Sequence, residues 1–165
     1  MVDFETAKNE ALDLLKNNNI TKPPVVPHKI AMDCGLSIMD ATFSEKYKYD
    51  ISGFLKIEER AIYINKDEHI SRQTCTIAHE LGHWILHRNI IKADKSLYSV
   101  LLRSKTTETN YLEQEANFFA ANLLLPENMV RDYYSNIKNI STLAVIFCVS
   151  VGFISERLKF LGANK

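Results

Sequence analysis

His79-Glu80-Leu81-Gly82-His83 places two imidazoles and a carboxylate within one short run. On an α-helix, residues four apart stand one above the other, about 40° apart around the axis. His79 and His83 therefore point the same way, and their ring nitrogens can grip one metal ion from a single rigid element. Glu80 lies one step round, near enough to act on a water at that ion but not placed as a third ligand. This is half of a zinc hydrolase site, with Glu80 as general base. A helix can carry two histidines and a glutamate without any function. Here Ile77, Ala78, Leu81, Trp84, Ile85 and Leu86 surround the motif, so the helix reads as largely buried, and buried His and Glu need partners. Gly82 costs about 1 kcal/mol in a helix interior relative to Ala, which points to a close backbone approach there.

A third ligand is required. The extended pattern HExxHxxGxxH would put it at residue 89, which is Asn89. His87 continues the face of His83, but three histidines spaced i, i+4, i+8 span about 12 Å along the axis, too far to share one ion. His87 reads instead as a helix C-terminal histidine that interacts with the last carbonyls and the dipole. The run from Tyr111 to Pro126 is a second buried helix, ended by the proline, and it carries Glu113 and Glu115. Glu113, Ala116, Asn117, Ala120 and Leu124 share a face whose small residues permit close packing. Glu115 lies about 200° away, with Phe119 and Asn122. Glu113 is therefore the expected ligand. Asn117, four residues on, is expected to accept from a ligand histidine's other N–H. Glu115 is expected to be a solvated or capping acid. Cys75 precedes His79 by one helical turn, close enough to be considered as a ligand, but a buried core cysteine is the simpler reading.

These motifs together resemble the ImmA/IrrE metallopeptidases. The resemblance rests on Thr76-Ile-Ala-His-Glu-Leu-Gly-His83, then Leu86-His87, then Glu113-Gln-Glu-Ala-Asn-Phe-Phe-Ala-Ala-Asn-Leu-Leu-Leu-Pro126. It extends from about residue 20 through Gly53-Phe-Leu55 and Ala61-Ile-Tyr-Ile-Asn65 to Leu143–Ser150 and Arg157-Leu158. It implies a cytoplasmic zinc peptidase with a gluzincin-like site: His79, His83 and Glu113 as ligands, Glu80 as catalytic residue. It also implies a helix-turn-helix repressor as substrate, whose cleavage switches on mobile-element or stress genes. Asn117 departs from the related thermolysin-type ExxxD pattern. An amide orients a histidine but does not raise its basicity as a carboxylate would.

Composition agrees with a small enzyme. At 165 residues the chain reads as one domain, 1–165, able to bury a core without staples. Its 20 basic and 20 acidic residues cancel, and no basic block stands out. That argues against an electrostatic nucleic-acid surface or a polybasic membrane contact. Cys34, Cys75 and Cys148 have no CxxC spacing and read as reduced thiols of a cytoplasmic protein. Residues 1–19 read as an amphipathic surface helix rather than a signal peptide. The apolar run from Leu143 to Ile154 is too short to cross a bilayer.

The expected fold is α+β. A small antiparallel sheet of three strands (Leu36–Phe43, Ile51–Lys56, Arg60–Asn65) packs on a helical core carrying the HExxH helix and the Glu-ligand helix, with a C-terminal helix pair. A short helix opens at Pro27, Ser71 is the expected N-cap of the metal helix, and a further helix is expected at Asp94–Arg103. Residues 141–161 read as a helix-turn-helix-like unit. Its second helix offers only Ser155, Arg157 and Lys159 to a nucleic acid, so it reads as a packing or partner-recognition unit.

The expected chemistry is metal-assisted peptide hydrolysis. Glu80 takes the proton of the attacking water and passes it to the leaving amine. Tyr98, Tyr111 and His87 are candidate oxyanion donors. The strand Ala61–Ile64 is expected to pair with an extended substrate. Two other readings stay open: a non-proteolytic metal-binding module that sequesters a repressor, and a metal-regulated DNA-binding protein.

Overall fold

Asp3 caps helix α1 (Phe4–Asn17) by accepting from the Thr6 amide, and Ala7, Ala11 and Leu15 form its buried stripe. The computed structural model describes residues 2–44, 50–93 and 111–163. Pro27 sits at the first turn of α2 (Pro27–Asp33), where its missing N–H costs nothing. Three short strands follow: β1 (Ser37–Ala41), β2 (Gly53–Lys56) and β3 (Ala61–Asn65). A 3₁₀ turn at Ile57–Glu59 joins the last two, and Arg60 closes it in the left-handed region at φ 49°.

The chain is α+β, as expected, but the sheet is mixed rather than antiparallel. Its order is β1-β3-β2. β3 runs parallel to β1, from Ser37↔Ala61 to Ala41↔Asn65, and antiparallel to β2, from Gly53↔Ile64 to Lys56↔Ala61. The most apolar strand takes the centre: Ala61, Ile62, Ile64 and Asn65 are all buried. The chain leaves β1, returns as β2 on the far side, and only then fills the middle. The long excursion between β1 and β3 is what a parallel pairing requires. Alternation within each strand does not encode that order. A consequence is that β3 is paired along both edges and has none free for a substrate; β2 is the edge strand on the side of the metal helix.

Helix α3 (Ile70–Gly82) begins one residue before the expected cap. His69 is the N-cap, its ring accepting from the Ser71 amide at 3.2 Å. The helix then widens into a π turn over His83–His87 and returns to α geometry as α4 (Arg88–Ala93). The helix expected at Asp94–Arg103 lies outside the described residues.

Helix α5 (Tyr111–Leu124) packs between α3 and α1. Its ring Phe118 meets Phe4 of α1 at 4.7 Å between centroids. Pro126 ends it and caps α6 (Glu127–Ile137). The C-terminal pair is α7 (Ile140–Phe147) and α8 (Val151–Phe160), capped by Asn139 and Ser150 and bent 106° apart. Leu143, Phe147, Ile154 and Leu158 bury the inner face of this pair in the main core. Arg157, expected on the outer face, is buried. It donates to the Leu125 carbonyl (2.9 Å) and to Asn122 Oδ1 (2.7 Å), so it fastens α8 to the end of α5 and is not available to a nucleic acid. Among the described residues no single helix is long and apolar enough to cross a membrane.

Candidate metal centre

Two close approaches bring the functional elements together, each at a glycine. A Cβ on Gly82 would stand 3.0 Å from the Phe119 ring and 3.2 Å from the Ala116 Cα, so α3 and α5 touch almost backbone to backbone. A Cβ on Gly53 would stand 2.5 Å from the Tyr63 carbonyl oxygen and 2.7 Å from Thr76 Cγ2. β2 is thereby pressed against β3 and α3. A cleft of 480 Å³ opens between β2 and α3, with α5 supplying Glu113 and Asn117 to its wall. Arg72, Cys75, His79 and Glu80 line it from α3, and His83 from the start of the π turn.

His79 Nε2, His83 Nε2 and the Glu113 carboxylate converge in this cleft. The two nitrogens are 3.1 Å apart. Glu113 Oε2 lies 3.3 Å from His79 Nε2, and Oε1 lies 3.1 Å from His83 Nε2. Donor atoms at about 2.0–2.1 Å from a tetrahedral ion are about 3.3 Å from one another. The three groups fit one metal ion, and among the described residues they are the one His/Cys/Asp/Glu group whose donor atoms converge in this way. On its far side, His79 Nδ1 meets Asn117 Oδ1 at 3.0 Å. An amide oxygen only accepts, so Nδ1 carries the proton and Nε2 turns a lone pair into the cleft.

The electrostatics follow from burial and mutual charge. Burial drives the His83 imidazole down to about 4, only partly offset by its pairing with Glu113, so at neutral pH the ring is uncharged and keeps one nitrogen lone pair for a metal. For His79, burial acts in the same direction, but the bond to Glu113 and the charge of Glu80 outweigh it and leave its pKa raised. Burial pushes Glu113 up, yet the two histidines more than reverse this and hold it well below the usual carboxylate range. Glu80 is raised, chiefly by burial and also by Glu113, while His79 and the Leu55 backbone amide, which hydrogen-bonds its carboxyl, oppose the rise.

Most of the sequence expectations on ligand geometry fall in one place: His79, Glu80, His83, Glu113 and Asn117 all border the cleft. Glu115 does not behave as a solvated acid. It is buried, accepts from the Asp3 amide at 2.6 Å, and pairs with His87 at 2.8 Å. Its wheel position faces away from Glu113, but α5 is covered on that side too. His87 is not a terminal cap for carbonyls: it is buried beside His83, with the two Nδ1 atoms 3.0 Å apart. A π turn, rather than the regular α-helix that the spacing predicts, places it there. Of the candidate oxyanion donors, Tyr111 is exposed and His87 is enclosed, neither lining the cleft, and Tyr98 lies outside the described residues. Cys75 lines the cleft, but its thiol is pushed up to about 11 by burial.

Residues 33–159 match the peptidase family described as the IrrE N-terminal-like domain. "Metallopeptidase ImmA" of Bacillus subtilis (strain 168) is 32% identical over 84 residues, 51% of this chain and 45% of that protein. "Uncharacterized immunity region protein 2" of Bacillus phage phi105 is 32% identical over 103 residues, 59% of this chain and 60% of that protein. The chain thus spans about half the length of the curated relatives it matches. A solved "Mycobacterium tuberculosis transcriptional regulator" shares the fold with a TM-score of 0.69 at 14% identity, over 93% of this chain and 47% of that one.

Proposed function

Because the chain belongs to the IrrE N-terminal-like family of peptidases, we propose that it is a zinc-dependent endopeptidase with His79, His83 and Glu113 as ligands and Glu80 as its general base. The observation that carries this is the convergence of two imidazole nitrogens and a carboxylate beside a second, separate carboxylate in one open cleft. Two imidazoles and one carboxylate are a ligand set that leaves zinc an open position. When bound there, zinc would lower the pKa of water toward about 7 and polarise the scissile carbonyl.

The chain's own residues supply the rest. Asn117 holds His79 in the tautomer that presents Nε2. Glu113 closes the triangle from a different helix, so the site depends on the α3–α5 packing at Gly82. Glu80 is pinned by the Leu55 amide of β2, and its raised pKa suits a group that takes a proton from water and returns it to the departing amine. β2 borders the cleft as the outer strand of the described sheet, so an extended substrate segment entering the site would run alongside it.

The substrate we propose is a helix-turn-helix repressor, cut to derepress mobile-element or stress genes inside the cell. The reading is supported by family membership and by the names of the two relatives, one a metallopeptidase and one an immunity-region protein. The test is to incubate the zinc-loaded chain with the repressor encoded beside its gene and to compare wild type with Glu80→Gln by mass spectrometry. A single cut made by wild type and not by Glu80→Gln is expected. An intact repressor in both reactions, with the zinc site filled, would reject this substrate class.

A further inference from the structure

We infer that His87 and Glu115 are positioning residues that fix the tautomer and orientation of His83, a role that rests on the metal-site reading above. His87 is 1% exposed and Glu115 8%. Two such groups do not persist in a core without satisfied hydrogen bonds. Here the partners form one unbroken line. His83 Nδ1 meets His87 Nδ1 at 3.0 Å, and His87 Nε2 meets Glu115 Oε2 at 2.8 Å. The other oxygen, Glu115 Oε1, accepts the Asp3 backbone N–H at 2.6 Å. Both ring nitrogens of His87 and both oxygens of Glu115 are used.

Proton placement along this line is determined from its far end. An ionised carboxylate only accepts, so the bond between Glu115 and His87 needs the proton on His87 Nε2. In the neutral ring Nδ1 is then bare and accepts. The facing His83 Nδ1 must therefore be the donor and carry a proton. That leaves the lone pair of His83 on Nε2, the atom that faces Glu113 Oε1 at 3.1 Å and His79 Nε2 at 3.1 Å. The tautomer that can bind a metal is set two residues away from the metal.

The two ligand histidines are thus held by different devices. His79 is backed by the neutral amide of Asn117, and His83 is backed through a second imidazole by a full negative charge. The carboxylate raises the donor strength of His83 through the intervening ring, as a carboxylate partner does when it contacts a ligand histidine directly. The π turn makes this possible: it spans His83–His87, so its first and last residues are the two rings in contact. A π turn inside an α-helix is a recurrent mark of a functional position. The far end of the line is tied to the N-cap of α1, so the N-terminal helix takes part in anchoring it.

The experiment compares metal-free wild type, His87→Leu and His87→Gln. Zinc affinity is measured by competition with a chromophoric chelator, and the metal-free melting temperatures are recorded alongside. Leu fills the space without hydrogen bonds. Gln can present its oxygen to His83 and its amide N–H to Glu115. We expect one zinc per wild-type chain, a loss of about 10–100-fold for His87→Leu, and recovery to within about threefold for His87→Gln. Equal affinity of His87→Leu and wild type would overturn the inference while leaving the zinc site standing. A wild type that takes up no zinc would overturn the site and the inference together. Should His87→Leu fail to fold, long-range ¹H–¹⁵N spectra of zinc-loaded wild type decide the matter. A proton on Nε2 of His87 supports the inference, and one on Nδ1 overturns it.

Discussion

Replacing Gly82 with alanine sets two effects of known sign against each other. In a helix interior the change gains about 1 kcal/mol of intrinsic propensity. At this position the added methyl would stand 3.0 Å from Phe119 Cδ1, 3.2 Å from the Ala116 Cα and 3.3 Å from the Ala116 carbonyl oxygen. Two of those three atoms are backbone and cannot rotate away, and Phe119 is fully buried. Restoring ordinary contact at about 3.5–4.0 Å requires α3 and α5 to separate by several tenths of an ångström. Overpacking of this kind costs about 1–3 kcal/mol, and the rigid neighbours place it in the upper half of that range. The net expectation is a loss of about 1–2 kcal/mol, or roughly 2–8 °C in Tm for a chain of this size. Because Glu113 sits one turn before Ala116, the same displacement exceeds the roughly 0.2 Å tolerance of a zinc–ligand distance, so zinc affinity falls as well. Gly152→Ala is the control. It lies in α8 with nothing nearer than Ser150 Oγ at 4.0 Å, and it should gain about 0.5–1 kcal/mol. Thermal melting of the metal-free proteins measures both. If Gly82→Ala melts above wild type, as Gly152→Ala is expected to, the argument for backbone contact at the α3–α5 crossing is wrong.

Gly53→Ala meets the Tyr63 carbonyl and Thr76 at still shorter range. It should destabilise by about 2–3 kcal/mol, and hydrogen exchange should quicken first in β2. Arg157→Met removes the donors to Leu125 and Asn122. A loss of about 2–4 kcal/mol is expected by urea titration, with zinc affinity unchanged because the metal cleft is not touched. The Cys75 thiol, raised by burial from 9.0 to about 11, favours the neutral form in the folded state. Its contribution is complete below about pH 9 and is lost as pH rises toward 11, up to about 3 kcal/mol in all. Wild type should therefore lose stability relative to Cys75→Ala across that window; parallel pH profiles would contradict this.

The site was legible where chemistry and periodicity coincide. HExxH fixes its own geometry once it lies on a helix, and the small-residue face of α5 singles out Glu113 and Asn117 over Glu115. The glycine inside the metal helix announced a close crossing, and Ala116 provides it. What escaped the sequence depends on context beyond one element. Glu115 and Arg157 look like surface charges on their helical wheels because a wheel does not show that a second layer covers the opposite face. His87 was misplaced because a π turn over His83–His87 shifts it from the α-helical position that the spacing implies. The strands were found to within a few residues, but their order was not. An apolar centre strand that enters last makes the sheet mixed, and it puts β2 rather than β3 at the border of the sheet.

The most direct test of the account is anomalous diffraction at the zinc edge from crystals of the zinc-loaded chain. One peak is expected, about 2.0–2.2 Å from His79 Nε2, His83 Nε2 and a Glu113 oxygen, with Glu80 beside it and outside bonding distance. A peak bonded to Cys75, His87 or Glu115, or one lacking Glu113, would contradict it.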